Sequence, residues 1–298
     1  MEKHLAPLPI SVENFFRECK SNKLNLAECI DKYEITQQQA HLICDTTYAQ
    51  AECDSWFAHR KLRVSSSFVH DIVELEQVND KKKEKLFSKI LDKVYKRESP
   101  ISGFDSIAMQ YGTANEDKVR EQYQEQLSHE HPNLTVHIPG LIIDPKQKFL
   151  ATSIDGLVKC PCFKCPKIRG LEIKCPYYYR NRKIAEIIAT DKTGSFIVDS
   201  HHNINKNHRY YNQVQFQMEI AKLETVDLVI YTSKPNRSIA SPRQSKQRRR
   251  LRFVTQPKSS SNMLVINVKR DHDRGQYLVD LANVFLMEHV YPHFYDNL

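Results

Sequence analysis

Ala151-Thr152-Ser153-Ile154-Asp155-Gly156 and, starting fifteen residues after the aspartate, Gly170-Leu171-Glu172-Ile173-Lys174-Cys175-Pro176 decide the reading of this chain. Successive side chains on a strand point to opposite faces, so Glu172 and Lys174 share one face and Ile173 takes the other. Two acids and a lysine then project from neighbouring strands into one small volume. Adjacent carboxylates are costly unless a cation sits between them, and a hard divalent metal with oxygen ligands does that. A lysine beside such a metal holds or deprotonates a water. This is equipment for metal-assisted hydrolysis of a phosphodiester.

A plainer reading exists for each piece. Asp-Gly is a common turn signal, and Glu-x-Lys is a common pair on an exposed strand. The apolar neighbours Leu157, Val158, Leu171 and Ile173 favour buried strands instead.

Bulk properties narrow the class. The chain has 298 residues, 40% hydrophobic and 27% charged, which suits a soluble globular protein. Only 7 glycines are present, and no G-x-G-x-x-G or G-x-x-x-x-G-K occurs, against a dinucleotide or P-loop binder. No apolar run reaches membrane-span length and Met1-Glu2-Lys3-His4 opens no signal peptide. The net charge of +8 favours a polyanionic partner. Eight cysteines without a secretion signal point to a reducing, intracellular compartment, nuclear if the host is eukaryotic.

Periodicity predicts an N-terminal helical extension over 1–54, with a capping box at Thr36-Gln37-Gln38-Gln39, and a main domain over 55–298. The run Asp80-Lys81-Lys82-Lys83-Glu84-Lys85 reads as a solvated helix end. Within the main domain the spacing predicts helices over 105–127, 207–223 and 276–290. Strands are predicted over 134–143, 149–160, 168–175, 226–233 and 263–270. The order gives an α/β fold, a central mixed sheet flanked by helices. A polar basic insertion over 234–262 carries Lys246-Gln247-Arg248-Arg249-Arg250. It reads as a mobile loop whose arginines serve as a phosphate contact, a nuclear localisation signal or a solubilising patch.

Other segments add candidate groups. Glu116 lies three residues before Val119 and seven before Tyr123, on the apolar side of its helix. It is either a third acid of the metal site or an i,i+4 partner of Arg120. Tyr210, Gln213 and Gln217 share one face of the second helix, and spacing alone favours plain surface there. Trp56, Arg60, Arg63 and Ser65-Ser66-Ser67 combine arginines with hydroxyls, a chemistry suited to phosphate. Cys160-Pro161-Cys162-Phe163-Lys164-Cys165 offers three thiolates in the hairpin between the two acids. A structural Zn²⁺ needs a fourth ligand, which His201, His202 or His208 supplies only if the fold brings one near, while Cys175 reads as packed; free thiols are the alternative.

Together these landmarks, with Gly112 to Glu116, Tyr210 to Gln215 and Val268-Lys269-Arg270-Asp271, resemble the PD-(D/E)XK nuclease superfamily, and within it the YqaJ-type viral recombinase, lambda-exonuclease-like family. The resemblance covers about residues 50–295. It implies a restriction-endonuclease-like core in which Glu116, Asp155, Glu172 and the backbone carbonyl of Ile173 bind Mg²⁺ or Mn²⁺. It implies that Lys174 positions or deprotonates the water, with Gln213 near it and Tyr210 alongside. Arg60, Ser67 and Ser153 match positions that in this family gather around a terminal 5′ phosphate. The implied activity is 5′-to-3′ exonucleolysis of linear double-stranded DNA to 5′-mononucleotides, in recombination, replication or repair. The implied partners are DNA ends and a single-strand annealing protein. Ile154 stands where the superfamily name has proline. The alternatives are an endonuclease on DNA or RNA, and a catalytically silent nucleic-acid-binding module.

Overall fold

The computed structural model describes residues 9–95, 103–163, 165–232 and 262–298. Arg248, Arg249 and Arg250, and the 234–262 insertion apart from Asn262, lie outside the described residues. The chain begins with helices α1 (Val12–Ser21), α2 (Leu26–Lys32), α3 (Gln37–Thr46) and α4 (Asp54–Arg60), then strand β1 (Val64–Ser65), α5 (Val69–Gln77) and α6 (Asp80–Tyr95). Thr36 caps α3 through the expected box: its Oγ1 accepts from Gln39 N at 3.2 Å, and Gln39 Oε1 accepts from Thr36 N at 2.8 Å. The charged run from Asp80 is the exposed first turn and a half of α6.

Helix α7 (Gly103–Ser128) leads into strands β2 (Thr135–His137), β3 (Leu150–Ala151), β4 (Gly156–Lys159) and β5 (Ile168–Lys174). Helices α8 (Ile184–Thr190) and α9 (Arg209–Ala221) follow, then β6 (Thr225–Tyr231), β7 (Met263–Lys269), α10 (His272–Phe285) and α11 (Tyr291–Asp296). The five-stranded sheet runs β2-β4-β5-β6-β7, antiparallel except for the parallel β5–β6 pair. This is the expected mixed sheet with helical cover.

Two predicted strands break into pieces. The 134–143 stretch keeps β2 only, because Pro139 lacks an N–H and the chain then presses against α3. At Gly140 a Cβ would lie 2.2 Å from the Cys44 carbonyl oxygen, so only glycine fits this approach. The 149–160 stretch splits at the segment that matters most. β3 pairs in parallel with β1 in a separate two-stranded sheet. Thr152 exchanges backbone bonds with Ile142 and donates its hydroxyl to Ser66 at 2.8 Å. Ile154 turns fully inward, and Asp155 N then joins the main sheet by bonding Leu171 O at 3.0 Å. Gly156 starts β4 rather than a turn; a Cβ there would sit 2.8 Å from Val136 Cγ1. The closing helix starts earlier than predicted, at His272, because Asp271 caps it by accepting from Arg274 N at 3.1 Å.

One core cluster joins α1, α2, α5 and α6 to α10, α11 and α9 through Phe16, Tyr33, Phe68, Phe216, Phe285 and Tyr291. Lys20 also donates to Tyr295 O at 2.9 Å, so the first helices close against the last. A second cluster lies between the sheet and α8–α9, and a third, with Val119, Tyr123, Leu171 and Ile173, lies between the sheet and α7. Helix α7 is also held by a buried polar network. Tyr123 Oη and Arg169 Nε both donate to Asp227 Oδ2 at 2.5 Å, and Asn267 donates to its Oδ1 at 2.7 Å.

Candidate active site

The sheet sorts β5 as the alternation predicts. Ile173 packs on the α7 side, while Glu172 and Lys174 meet across the other face and converge with α9. Glu172 is 2% exposed and accepts from three side-chain donors, which leaves part of its acceptor capacity open. Lys174 Nζ and Gln213 Nε2 each reach its Oε1 at 2.5 Å, and Gln217 Nε2 reaches Oε2 at 2.7 Å. Gln217 also donates to Ser153 O at 3.2 Å and is 0% exposed. The reading of this helix face as plain surface is therefore corrected. α9 is buried on nearly all sides, and on this face Gln213 and Gln217 both donate to a buried carboxylate.

Asp155 sits at the foot of β4 and accepts from Ile173 N at 2.6 Å. Its carboxyl is held well above the usual range by burial first, then by repulsion from Glu172 and Glu116, against which Lys174 and the Ile173 amide pull downward. Glu116 comes from α7 and accepts from Arg120 Nη2 at 2.6 Å. The i,i+4 pairing with Arg120 is present, and Glu116 also stands within reach of the charges of Glu172 and Lys174. It pairs with Arg120, and burial and the charge of Glu172 still raise its pKa despite that guanidinium. Arg120 also pairs with Asp117 and donates to Asp155 O at 2.9 Å, tying helix to strand. Lys174 stays firmly protonated: burial opposes its charge, but Glu172, Tyr210 and Asp155 outweigh burial and raise its pKa. Its Nζ lies 4.7 Å from the Tyr210 ring centroid.

Three carboxylates thus face two cations, and, after burial, the charge of Glu172 lifts the pKa of Glu116 and Asp155. A site with one negative charge in excess, lined with hard oxygens, fits a divalent ion.

Beside it lies a second polar group. Arg60 stacks 4.3 Å from the Trp56 ring centroid and donates to Ser65 Oγ at 2.9 Å and Ser67 Oγ at 2.6 Å. Trp56 Nε1 donates to Ser153 Oγ at 2.9 Å, two residues from Asp155. Among the described residues the hydrogen-bond acceptors of Arg60 are hydroxyls and none is a carboxylate, and burial lowers its pKa to about 10. Arg63, expected in the same phosphate-binding set, is elsewhere. It is 0% exposed and spends its donors on Lys148 O (2.9 Å), His59 O and Tyr33 Oη (2.6 Å). Its role is to hold α2 and α4 to the β3 approach, which excludes it as a ligand contact.

The cysteines of the β4–β5 hairpin gather around His131, not around Cys175, His201, His202 or His208. Cys175 lies near the acids, with its thiol pushed up to about 12 by burial, then by Glu116 and Asp155.

The family model of the YqaJ-like viral recombinase domain matches residues 55–224, more than half of the chain. No curated protein matches by sequence. Among solved structures, an alkaline exonuclease (LHK-Exo) from Laribacter hongkongensis is 21% identical with a TM-score of 0.52, over 82% of this chain and 95% of that one. A SOX–DNA complex is 14% identical with a TM-score of 0.51, over 90% of this chain and 74% of that one. A complex of KSHV SOX with RNA is 13% identical with the same TM-score, over 90% of this chain and 77% of that one. At these identities the likeness is one of fold, the PD-(D/E)XK architecture. No helix among the described residues is long and apolar enough to cross a membrane.

Proposed function

We propose, from the premise that the chain belongs to the YqaJ-like viral recombinase family and is a nuclease acting on DNA, that it degrades linear duplexes from their 5′ ends with Mg²⁺ or Mn²⁺. The observation that carries this reading is the cluster of Glu116, Asp155 and Glu172 around Lys174, with Arg60, Ser67 and Ser153 adjoining.

Glu116, Asp155, Glu172 and the Ile173 carbonyl are the groups that would hold the metal. When bound, a divalent ion polarises the scissile phosphate and acidifies a water. The protein's own groups do the rest. Gln213 and Gln217 fix the Glu172 carboxylate in one orientation. Lys174, protonated, is better suited to orient a water and stabilise developing negative charge than to accept a proton. Arg60, a half-buried guanidinium without an acidic partner among the described residues, is suited to receive a terminal phosphate. Ser67, which it holds, offers a hydroxyl donor to the same anion. Such a pocket beside the acids sets a register from the strand end, which is what exonucleolysis to 5′-mononucleotides requires. Tyr210 covers Lys174 and borders the path of the strand. Arg248, Arg249 and Arg250 would add backbone contacts, and a single-strand annealing protein would receive the exposed 3′ strand.

Internal cleavage of DNA or RNA is the second reading, motivated by the fold likeness to SOX, solved with each nucleic acid. Linear duplexes labelled at either end and a closed circle are incubated with the protein in Mg²⁺, with Lys174→Ala as control. Loss from 5′ ends with the circle intact is expected. Nicking of the circle refutes the end-directed mode, and no cleavage by the wild type refutes the catalytic assignment.

A further inference from the structure

The base of the β4–β5 hairpin holds four metal-binding side chains that the nuclease site does not use. Cys160 lies just past β4, and its N–H bonds Lys167 O at 3.1 Å, closing the loop that carries Cys162 and Cys165. His131 lies in the turn after α7, with its N–H on Leu127 O at 2.8 Å. The antiparallel pairing of Thr135 with Lys159 swings this turn over the hairpin.

The side-chain atoms converge. Sγ of Cys160 lies 3.3 Å from that of Cys162, and Cys162 lies 3.1 Å from Cys165. His131 Nδ1 is 3.7, 3.4 and 3.9 Å from Cys160, Cys162 and Cys165 in turn. All four atoms fall within 4.8 Å of one another. A disulfide is ruled out as the explanation, since its sulfurs stand about 2.05 Å apart. A tetrahedral zinc with Zn–S near 2.3 Å and Zn–N near 2.0 Å has S···S edges of roughly 3.8 Å and S···N edges of roughly 3.6 Å. The three S···N separations bracket their value, and the S···S separations of 3.3 and 3.1 Å are somewhat shorter than theirs. Thiols that merely fill a core have no cause to aim three sulfurs at one imidazole nitrogen, because sulfur is a weak hydrogen-bond former.

We propose that His131, Cys160, Cys162 and Cys165 bind a single structural zinc ion. The soft thiolates select against the Mg²⁺ of the nuclease site. The atoms leave room for one ion, not for the inorganic sulfides of an iron–sulfur cluster. The two metal sites are separate. Asp155 and Cys160 stand at opposite ends of β4, about 17 Å apart at ~3.3 Å per residue. The zinc would fasten the end of α7, β4 and β5 to one another. Those elements carry Glu116, Asp155 and Glu172, so the ion would hold in register the three acids of the nuclease site.

The test is elemental analysis of the full chain, purified under reducing conditions and gel-filtered free of loosely held ions. One zinc per chain and no iron are expected, with zinc released by a mercurial reagent that titrates thiols. Cys162→Ser and His131→Ala should each lower bound zinc by about tenfold or more. Cys175→Ser and Asp155→Ala should retain it. Wild-type protein that neither carries zinc nor takes it up on addition under reducing conditions overturns the proposal. So does zinc retained in both ligand variants, or iron with visible charge-transfer absorption. Circular dichroism of each variant separates loss of the ion from loss of the fold.

Discussion

Gln217→Ala should be the most damaging single change within α9, although Gln217 is expected to touch neither metal nor DNA. The side chain is wholly buried and gives both amide hydrogens away, to Glu172 Oε2 at 2.7 Å and Ser153 O at 3.2 Å. Truncation leaves a buried carboxylate oxygen without this donor. A hydrogen bond to a charged group contributes about 1.5–3 kcal/mol. The void left by the missing amide adds about 1 kcal/mol or more. The metal-free protein should therefore lose roughly 3–4 kcal/mol, or about 6–16 °C in Tm at ~2–4 °C per kcal/mol. Glu172 would also lose one of the three groups that orient it, so kcat at saturating Mg²⁺ should fall roughly tenfold to a hundredfold, while DNA affinity holds. Gln217→Glu sharpens the test. It keeps the volume but sets a second carboxylate against Glu172, so its stability deficit should grow as pH rises. Calorimetry with chelator present, alongside single-turnover cleavage, checks both. A Gln217→Ala variant within 1 °C of wild type and with unchanged kcat would refute the reasoning.

Arg60→Ala should slow degradation of 5′-phosphorylated ends more than 5′-hydroxyl ends, and equal loss on both would remove the end-pocket role; Arg63→Ala should instead cost about 3–5 kcal/mol of stability with no change in end preference. Asp155 has a folded pKa raised above its unfolded value, so the fold retains a proton the unfolded chain releases, and the stability it lends is present below about pH 4 and lost as pH rises through the raised value. The Tm difference between Asp155→Asn and wild type without metal should therefore grow from acid toward neutral pH and shrink when Mg²⁺ is added, and a flat difference counts against it. Lys174→Ala should abolish cleavage while leaving DNA binding in a mobility-shift assay within about twofold, since one phosphate contact among many is lost.

What the sequence disclosed, and what it hid, has a physical pattern. The acids and Lys174 were legible because alternation on β5 is a local rule that burial on both faces does not erase. The polar face of α9 was not. A helix with Tyr211, Val214, Phe216, Met218 and Ile220 all buried has no solvent side, so period 3.6 carries no information about which amides are enclosed. Arg63 misled for a related reason. An arginine near hydroxyls looks alike whether its acceptors are a ligand or backbone carbonyls, and only the path of residues 148–150 past α4 decides. The 149–160 stretch read as one strand because its apolar spacing is continuous, whereas the break at Thr152–Asp155 is imposed by partners outside the stretch, Ile142 just before it and Ser66 far along the chain.

His131 belongs to the same pattern, yet a signal for it was present. Once β2 pairs with β4 and Thr135 faces Lys159, the residue four before Thr135 is carried to the residues just past Lys159, where the cysteines stand. The fourth ligand was thus encoded in strand register, not in cysteine spacing. Register also answers why a metal clip should stand there. Glu116, Asp155 and Glu172 repel one another, and Asp155 and Glu116 are already pushed toward protonation before any cation arrives. A strand pair loaded with that repulsion relaxes by sliding β4 or swinging α7. Arg120 restrains this from the inside by bonding Glu116 and the Asp155 carbonyl at once. The His131–cysteine cluster restrains the far end of the same three elements. Clamped at both ends, the acids cannot separate to relieve their charge, and a divalent ion is left as the favourable way to neutralise them.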